Sequence, residues 1–344
     1  MSRRIVSSLC VTLLAGCALQ TVAPAAEESV AVAISREVQA IFQRARDAVI
    51  RIEGTDANGK LCRTGFFIDP TGIVLTSYSV GGESDHLVIR QGDLKIPARR
   101  LVADCRSGIA ILQIEKQPRP IPFLPLAKQS DLEIASPAVI LSYPLDHPLT
   151  PNFGFVGGLQ LRHRDRYFAT SHIRANIPVQ RGDGGAPLLN MKGEVVGVVI
   201  SGIENGCLAL PIEAASKVYH DYIRYGNVRP GWLGVVIGSG TTAGEGNPAV
   251  ITGLEEDGPA RQAGLRVGDV LLKVGSHRIT SPDDMVNAAF FLTSGEPVSI
   301  TVQRAGEEAV EIEVTPTDRP SLVGPRPTQP GIPFGSDDIT GRRE

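Results

Sequence analysis

Apolar residues recur along this chain in short clusters, and the period of the clustering changes with position. Near the start, Val38, Ile41, Phe42 and Ala45 lie on one face of a helix, with Ser35 placed to cap it. Beyond that face come short runs of strand length: residues 48–52, 65–68, 73–77, 87–89, 109–114, 138–142, 194–200 and 208–210. Turn formers separate them, among them Asp69-Pro70-Thr71-Gly72, Gly81-Gly82 and Gly182-Asp183-Gly184-Gly185. Strands this short at this spacing predict a mainly β fold, a sandwich or barrels. A second helix over 213–225 is expected to stop at Gly226, and 227–231 reads as a linker. From Trp232 the pattern restarts as a compact α+β unit. It has short helices at 259–263 and 282–291 and closing strands at 297–304 and 310–315. Residues 318–344 hold too few apolar side chains to bury a core and are expected to be a disordered tail.

Composition narrows the picture. A chain of 344 residues suggests two domains, and 42% apolar with 21% charged residues suits a globular protein. The net charge of −3 implies no basic face, which argues against a nucleic-acid partner. No apolar run in the body of the chain approaches the length of a membrane span. Arg3-Arg4 followed by a short apolar stretch reads as an export signal over residues 1–26, so the mature protein is expected in the periplasm or envelope. Ala23-Pro24-Ala25 offers a cleavage site, whereas Leu14-Ala15-Gly16-Cys17 resembles a lipobox. A cleaved soluble form and a lipid anchor at Cys17 both stay open, and that anchor is the one membrane link expected. Cys62, Cys105 and Cys207 allow at most one internal disulfide and fit small buried hydrophobes. No metal cluster, phosphate loop or cofactor motif stands out, so no cofactor is expected.

The chemistry enters through motifs. Gly182-Asp183-Gly184-Gly185-Ala186-Pro187-Leu188 resembles GDSGGPL, the nucleophile loop of trypsin-like serine proteases. The segment Thr64–Thr76 resembles the approach to the catalytic histidine in the HtrA (Deg) family of exported bacterial proteases. Ser107–Leu112 resembles that family's aspartate segment, and Cys207–Ile212 the G-F-A-I-P that closes its protease domain. The later Gly258-Pro259-Ala260, Ala263-Gly264-Leu265 and Val267–Leu271 resemble a PDZ domain. The resemblance implies two six-stranded trypsin-like β-barrels over 35–226 and one PDZ domain over 231–317. It also implies a homotrimer.

The departures fall on the catalytic positions. Ser79 stands at the histidine position, Gly108 at the aspartate position and Gly184 at the serine position, with gaps of 29 and 76 residues that match the family's spacing. An alcohol nucleophile needs a base within hydrogen-bond reach and a carboxylate to orient that base. His86 and His172 fall in no matching motif and read as lone surface histidines. The loop Gly182, Asp183, Gly184 keeps the glycines of an oxyanion hole, although glycine also simply suits a turn. In a PDZ domain an added peptide strand delivers its C-terminal carboxylate to main-chain amides. Here that groove is expected to use Trp232, Leu233, Gly234, Val235 and Ile237, with Asp284, Ala288 and Phe291 on the helix across from them and Met285, Ala289 and Leu292 facing the core. The expectation is a non-enzyme: an HtrA-like pseudoprotease that binds peptides, protein C termini or unfolded protein as scaffold, chaperone or regulator. The alternatives are a working serine endopeptidase and a purely structural envelope component.

Overall fold

Strand alternation divides the side chains of the first barrel between two cores. In β1 (Val49–Asp56), Ile50 and Ile52 point into the barrel while Val49 points out of it. In β2 (Gly59–Phe67) and β3 (Ile73–Ser77), Phe67 and Val74 point in; Phe66, Ile73 and Leu75 point out. β4 (Asp85–Gln91), β5 (Leu94–Asp104) and β6 (Ile109–Ile114) complete it, and β6 is apolar throughout apart from Gln113 because both its faces are buried. The outward residues join the core of the second barrel, so one hydrophobic cluster runs through the seam between the two.

The second barrel comprises β7 (Pro137–Ser142), β8 (Thr150–His163), β9 (Arg166–Ala175), β10 (Pro187–Leu189), β11 (Val195–Ile203) and β12 (Gly206–Pro211). The barrels close in the orders β1-β2-β3-β6-β5-β4 and β10-β11-β12-β9-β8-β7. The C-terminal sheet runs β13 (Val235–Ser239), β14 (Ala249–Leu254), β15 (Val270–Val274), β17 (Val298–Gln303), β18 (Val310–Val314), with β16 (His277–Arg278) paired to β15. This computed structural model describes residues 29–320 apart from 57–58, 83, 93, 116–119, 129–131, 164–165 and 241–246. The expected export signal, Cys17 and the tail beyond 320 lie outside the described residues.

Among the described residues five α-helices join the strands: α1 (Val30–Ala45), α2 (Tyr78–Gly81), α3 (Ile212–Tyr225), α4 (Pro259–Gln262) and α5 (Pro282–Phe290). α1 begins earlier than its apolar face suggests. Ser29 caps it by accepting the Val32 amide, and Ser35 lies inside the helix. α3 does end at Gly226, whose φ of +74° is the left-handed geometry that glycine supplies.

Two sequence expectations need correction. His172 is only 3% exposed, because β9 carries it under Phe168, whose ring lies 4.3 Å away. Burial pushes its pKa down to about 4, against the pull of the Thr170 carbonyl. Of the three cysteines, all free thiols, only Cys207 is buried; Cys62 is partly exposed and Cys105 exposed.

Candidate active site and peptide groove

Thr64 ties the barrels together and so builds the cleft. Its amide donates to the Gly184 carbonyl at 3.2 Å, and its hydroxyl donates to the Gly182 carbonyl at 2.8 Å. The Tyr143 amide donates to the same hydroxyl at 3.0 Å. β2 thereby holds the 182–185 loop of the second barrel. Gly182 and Gly185 have φ of +109° and +87°, and a Cβ at either would lie 2.2 Å from a main-chain oxygen. Only glycine fits at these two positions.

Gly184 is different. Its φ is not left-handed, and a Cβ there would meet Ser77 Oγ at 3.3 Å and Arg63 Cδ at 3.4 Å. The turn therefore does not require glycine at 184, contrary to the simplest explanation of that residue. The carbonyls of Arg181 and Asp183 accept from Leu145 and Ala186 at 2.7 and 3.0 Å. In a trans peptide the following N–H points the opposite way. The amides of Gly182 and Gly184 accordingly turn away from those partners, and neither donates to a main-chain carbonyl among the described residues. Asp183 itself is tucked behind the loop, 1% exposed, with Oδ2 accepting the Gln180 amide at 2.6 Å. Its Oδ1 and the Ser142 hydroxyl lie near one another without a well-formed hydrogen bond. Burial raises the Asp183 pKa, opposed by the Gln180 amide, the Ser142 hydroxyl and the Arg63 charge.

The three positions that match the family's triad do come together. Ser79 lies on α2 with its hydroxyl 2.8 Å from that of Ser77, and Ser77 reaches the 184 position. The Gly108 carbonyl accepts the Tyr78 amide at 2.7 Å. Gly108 has φ +75°, and Ile200 Cγ2 from the second barrel lies 2.9 Å from where its Cβ would be. An apolar side chain thus crowds the place of a carboxylate. We expect Gly184→Ser to change stability by under about 1 kcal/mol, because the site is tight but open. Gly108→Asp should cost about 2–4 kcal/mol through its backbone conformation and the Ile200 contact. Urea unfolding of the two single variants checks this contrast, and equal losses would overturn it. Ser77, Arg63 and Ile200 escaped the sequence analysis. Ser77 alone had a local signal, two residues before Ser79 in the same motif.

In the C-terminal unit, β13 pairs only with β14 among the described residues, which leaves an edge. The carbonyls of Leu233 and Gly234 accept from Ala260 and Glu255 at 3.0 and 2.9 Å. The amides of Leu233 and Gly234 donate to no main-chain carbonyl among the described residues. Gly234 has φ +72°, and a Cβ there would come within 3.1 Å of both Gly258 Cα and the Trp232 ring. Trp232 pairs in both directions with Thr317, which locks the loop to the end of the domain. Val235 and Ile237 pack on the domain core; Val236 points outward.

The helix across the groove departs from its expected register. The Asp284 carboxylate is occupied in a capping box, accepting from the Thr280 amide and hydroxyl and the Ser281 amide. Ala288 is 1% exposed and shares the domain core with Met285 and Leu292. Phe291 stacks on His277 with centroids 4.6 Å apart. The reason is a second buried face. Asn287 Oδ1 accepts from the Thr170 hydroxyl and the Ser171 amide on β9, and Phe290 joins the hydrophobic cluster of the barrels.

Fold and cleft define a trypsin-like peptidase domain followed by a PDZ domain. Residues 63–198 match the trypsin-like peptidase domain family and residues 250–304 the PDZ domain family. A protein of Pseudomonas fluorescens named as a probable periplasmic serine endoprotease, DegP-like, is 30% identical over 268 residues, covering 73% of this chain and 55% of its own length. A relative of the same name from Ectopseudomonas mendocina is 31% identical over 259 residues, covering 71% of this chain and 54% of its own length. This chain therefore spans about half the length of the curated relatives it matches. The solved HtrA-type protease AlgW with tripeptide superposes with a TM-score of 0.68 at 22% identity, covering 82% of this chain and 97% of that one. The serine endoprotease from Yersinia pestis gives 0.59 at 21% identity, with 82% and 98% covered. The chain shares the trypsin-like peptidase domain and PDZ domain, in that order, with these HtrA-type proteins. These relatives correct the expectation of a non-enzyme, because the proteins that align with most of this chain carry the name of serine endoproteases.

Proposed function

We propose that this chain is an exported HtrA-type protein that engages extended polypeptides at two places, the cleft between the barrels and the PDZ groove. The observation that carries this reading is the open edge of β13 beside the Leu233 and Gly234 amides. A peptide strand added there places its terminal carboxylate on those two donors. The periplasmic naming of the relatives supports export, and the solved AlgW structure with tripeptide supports peptide engagement. A homotrimer, and a leader that is cleaved or lipidated at Cys17, belong to the same proposal.

Fluorescent peptides with free apolar C termini should bind the full chain at micromolar Kd, about −8 kcal/mol. Amidating the terminus should weaken binding at least about tenfold, since the carboxylate loses its amide partners. Gly234→Val should do the same by crowding the loop. A diverse set of free C termini that fails to bind rejects the groove reading.

Serine endopeptidase chemistry is the reaction class that the relatives' names bring to the cleft. In this chain position 184 offers no side chain, and the hydroxyls at the cleft centre are those of Ser77 and Ser79. Casein hydrolysis by the full chain, compared with Ser77→Ala and Ser79→Ala, assays it directly. Turnover lost in either variant supports that chemistry here; no turnover, or turnover indifferent to both, rejects it.

A further inference from the structure

The PDZ groove ends beside a glutamate with no task in the reading so far. β13 and β14 pair with Val235 opposite Leu254 and Val236 opposite Gly253. Val235 and Leu254 pack on the domain core, whereas Val236 points outward and is 54% exposed. Side chains alternate along a strand, so Glu255, one step beyond Leu254, turns to the same outer face as Val236 and is exposed. Its amide donates to the Gly234 carbonyl at 2.9 Å, which sets it directly across from the loop that presents the Leu233 and Gly234 amides. A Cβ at Gly234 would lie 3.2 Å from Glu255 Cβ and 3.1 Å from Cη2 of the Trp232 ring. Glycine at 234 thus puts no side chain between the loop and these two groups. Among the described residues the Glu255 carboxylate makes no hydrogen bond or ion pair, and Arg261, the nearest cation along the chain, pairs with none of Glu255, Glu256 and Asp257.

A peptide strand added to β13 alternates in the same way. With its terminal carboxylate on the Leu233 and Gly234 amides, its last side chain lies on the side of Val235, toward the core, and the one before it on the side of Val236. Neighbouring strands are about 4.8 Å apart, so a side chain as long as Lys or Arg spans from the added strand across Gly234 to the Glu255 carboxylate. Its methylene stem meets apolar surface on the Trp232 ring while its charge stays in water.

We propose that the PDZ groove selects a cationic side chain, Lys or Arg, in the residue before the C-terminal one, with Glu255 as the specificity residue. This rests on the reading of the β13 edge as a groove for protein C termini.

The test titrates the full chain with free-acid peptides that share an apolar last residue and differ only in the penultimate one, Lys, Gln or Glu. Lys should bind about threefold tighter than Gln, and Glu about threefold more weakly, the scale of an exposed ion pair. The spread should shrink as salt rises. Glu255→Gln should bring the Lys and Gln peptides to one affinity, and Glu255→Lys should reverse the order in favour of Glu. Glu256→Gln should keep the Lys preference. Its loss there to the same extent as in Glu255→Gln would assign the preference to the whole acidic turn and overturn the role of Glu255. An amidated Lys peptide that binds as tightly as its free acid overturns the inference too, because the preference would then not depend on the register set by the terminal carboxylate. Equal affinity of the three free-acid peptides overturns the inference and leaves the groove reading standing. If none of the three binds, the groove reading falls and the inference with it.

Discussion

Asp221→Ala will loosen the PDZ domain from the barrels and cost about 3–5 kcal/mol, the range for removing one partner of a buried ion pair. Asp221 lies on α3, fully buried, at the point where the last helix of the barrels meets the linker. Its Oδ2 accepts from Lys217 Nζ at 2.6 Å and from the Arg229 amide at 3.1 Å; its Oδ1 accepts from the Thr293 hydroxyl at 3.1 Å. One carboxylate therefore pins its own helix, the linker and the PDZ domain. Alanine leaves a lysine ammonium that is largely out of water, together with a main-chain amide and a hydroxyl, each without its acceptor. Asp221→Asn keeps one acceptor oxygen and should cost less. Limited proteolysis between residues 226 and 231 reads the release, and denaturant unfolding of the barrel transition reads the cost. Unchanged linker cleavage in Asp221→Ala would show that the domains are held by other contacts.

Phe290→Ala should open the same junction from the other side, with a loss of about 3–5 kcal/mol in docking. Phe290 is a PDZ residue by chain order and a barrel residue by packing. It is 3% exposed within the barrel cluster, and the Arg106 guanidinium lies 5.3 Å from its ring centroid. The PDZ core keeps Met285, Ala288 and Leu292, so the domain itself should stay folded. A larger radius of gyration in solution scattering, with the PDZ unfolding transition retained, is the expected result. An unchanged radius would show that the ring contributes little to docking. Arg106 lies two residues before Gly108 and bonds to Asp104, so the same contact braces the turn at the edge of the cleft.

Much of the fold was legible because it is written over short distances. The apolar runs at 73–77 and 109–114 and the stop at Gly226 are each decided within a few positions. The positions that match the family's triad could be picked out as well, because each lies in a motif of about a dozen residues or fewer. The long strands β8 and β9 were not singled out. They mix polar and apolar residues, and part of their outer face is exposed, as at Leu159, or covered by α5 at Thr170. The register of α5 failed for a related reason. A helix that serves one core shows one apolar stripe, whereas this one serves two, and composition does not say which apolar residue faces which core.

By itself the sequence determined the mainly β class, the HtrA-like frame and the identities at 79, 108 and 184, since local pattern and spacing carry all of these. Only the tertiary structure decided what those identities mean. It set Ile200 against Gly108, ninety-odd residues away, and Arg63 and Ser77 beside Gly184, more than a hundred residues away. It also showed that Gly182 and Gly185 are obligatory while Gly184 is not. The physical reason is barrel closure. Closing each sheet on itself and docking the two along Thr64 brings together side chains that share no local signal, and the free volume at each site is set by those distant neighbours.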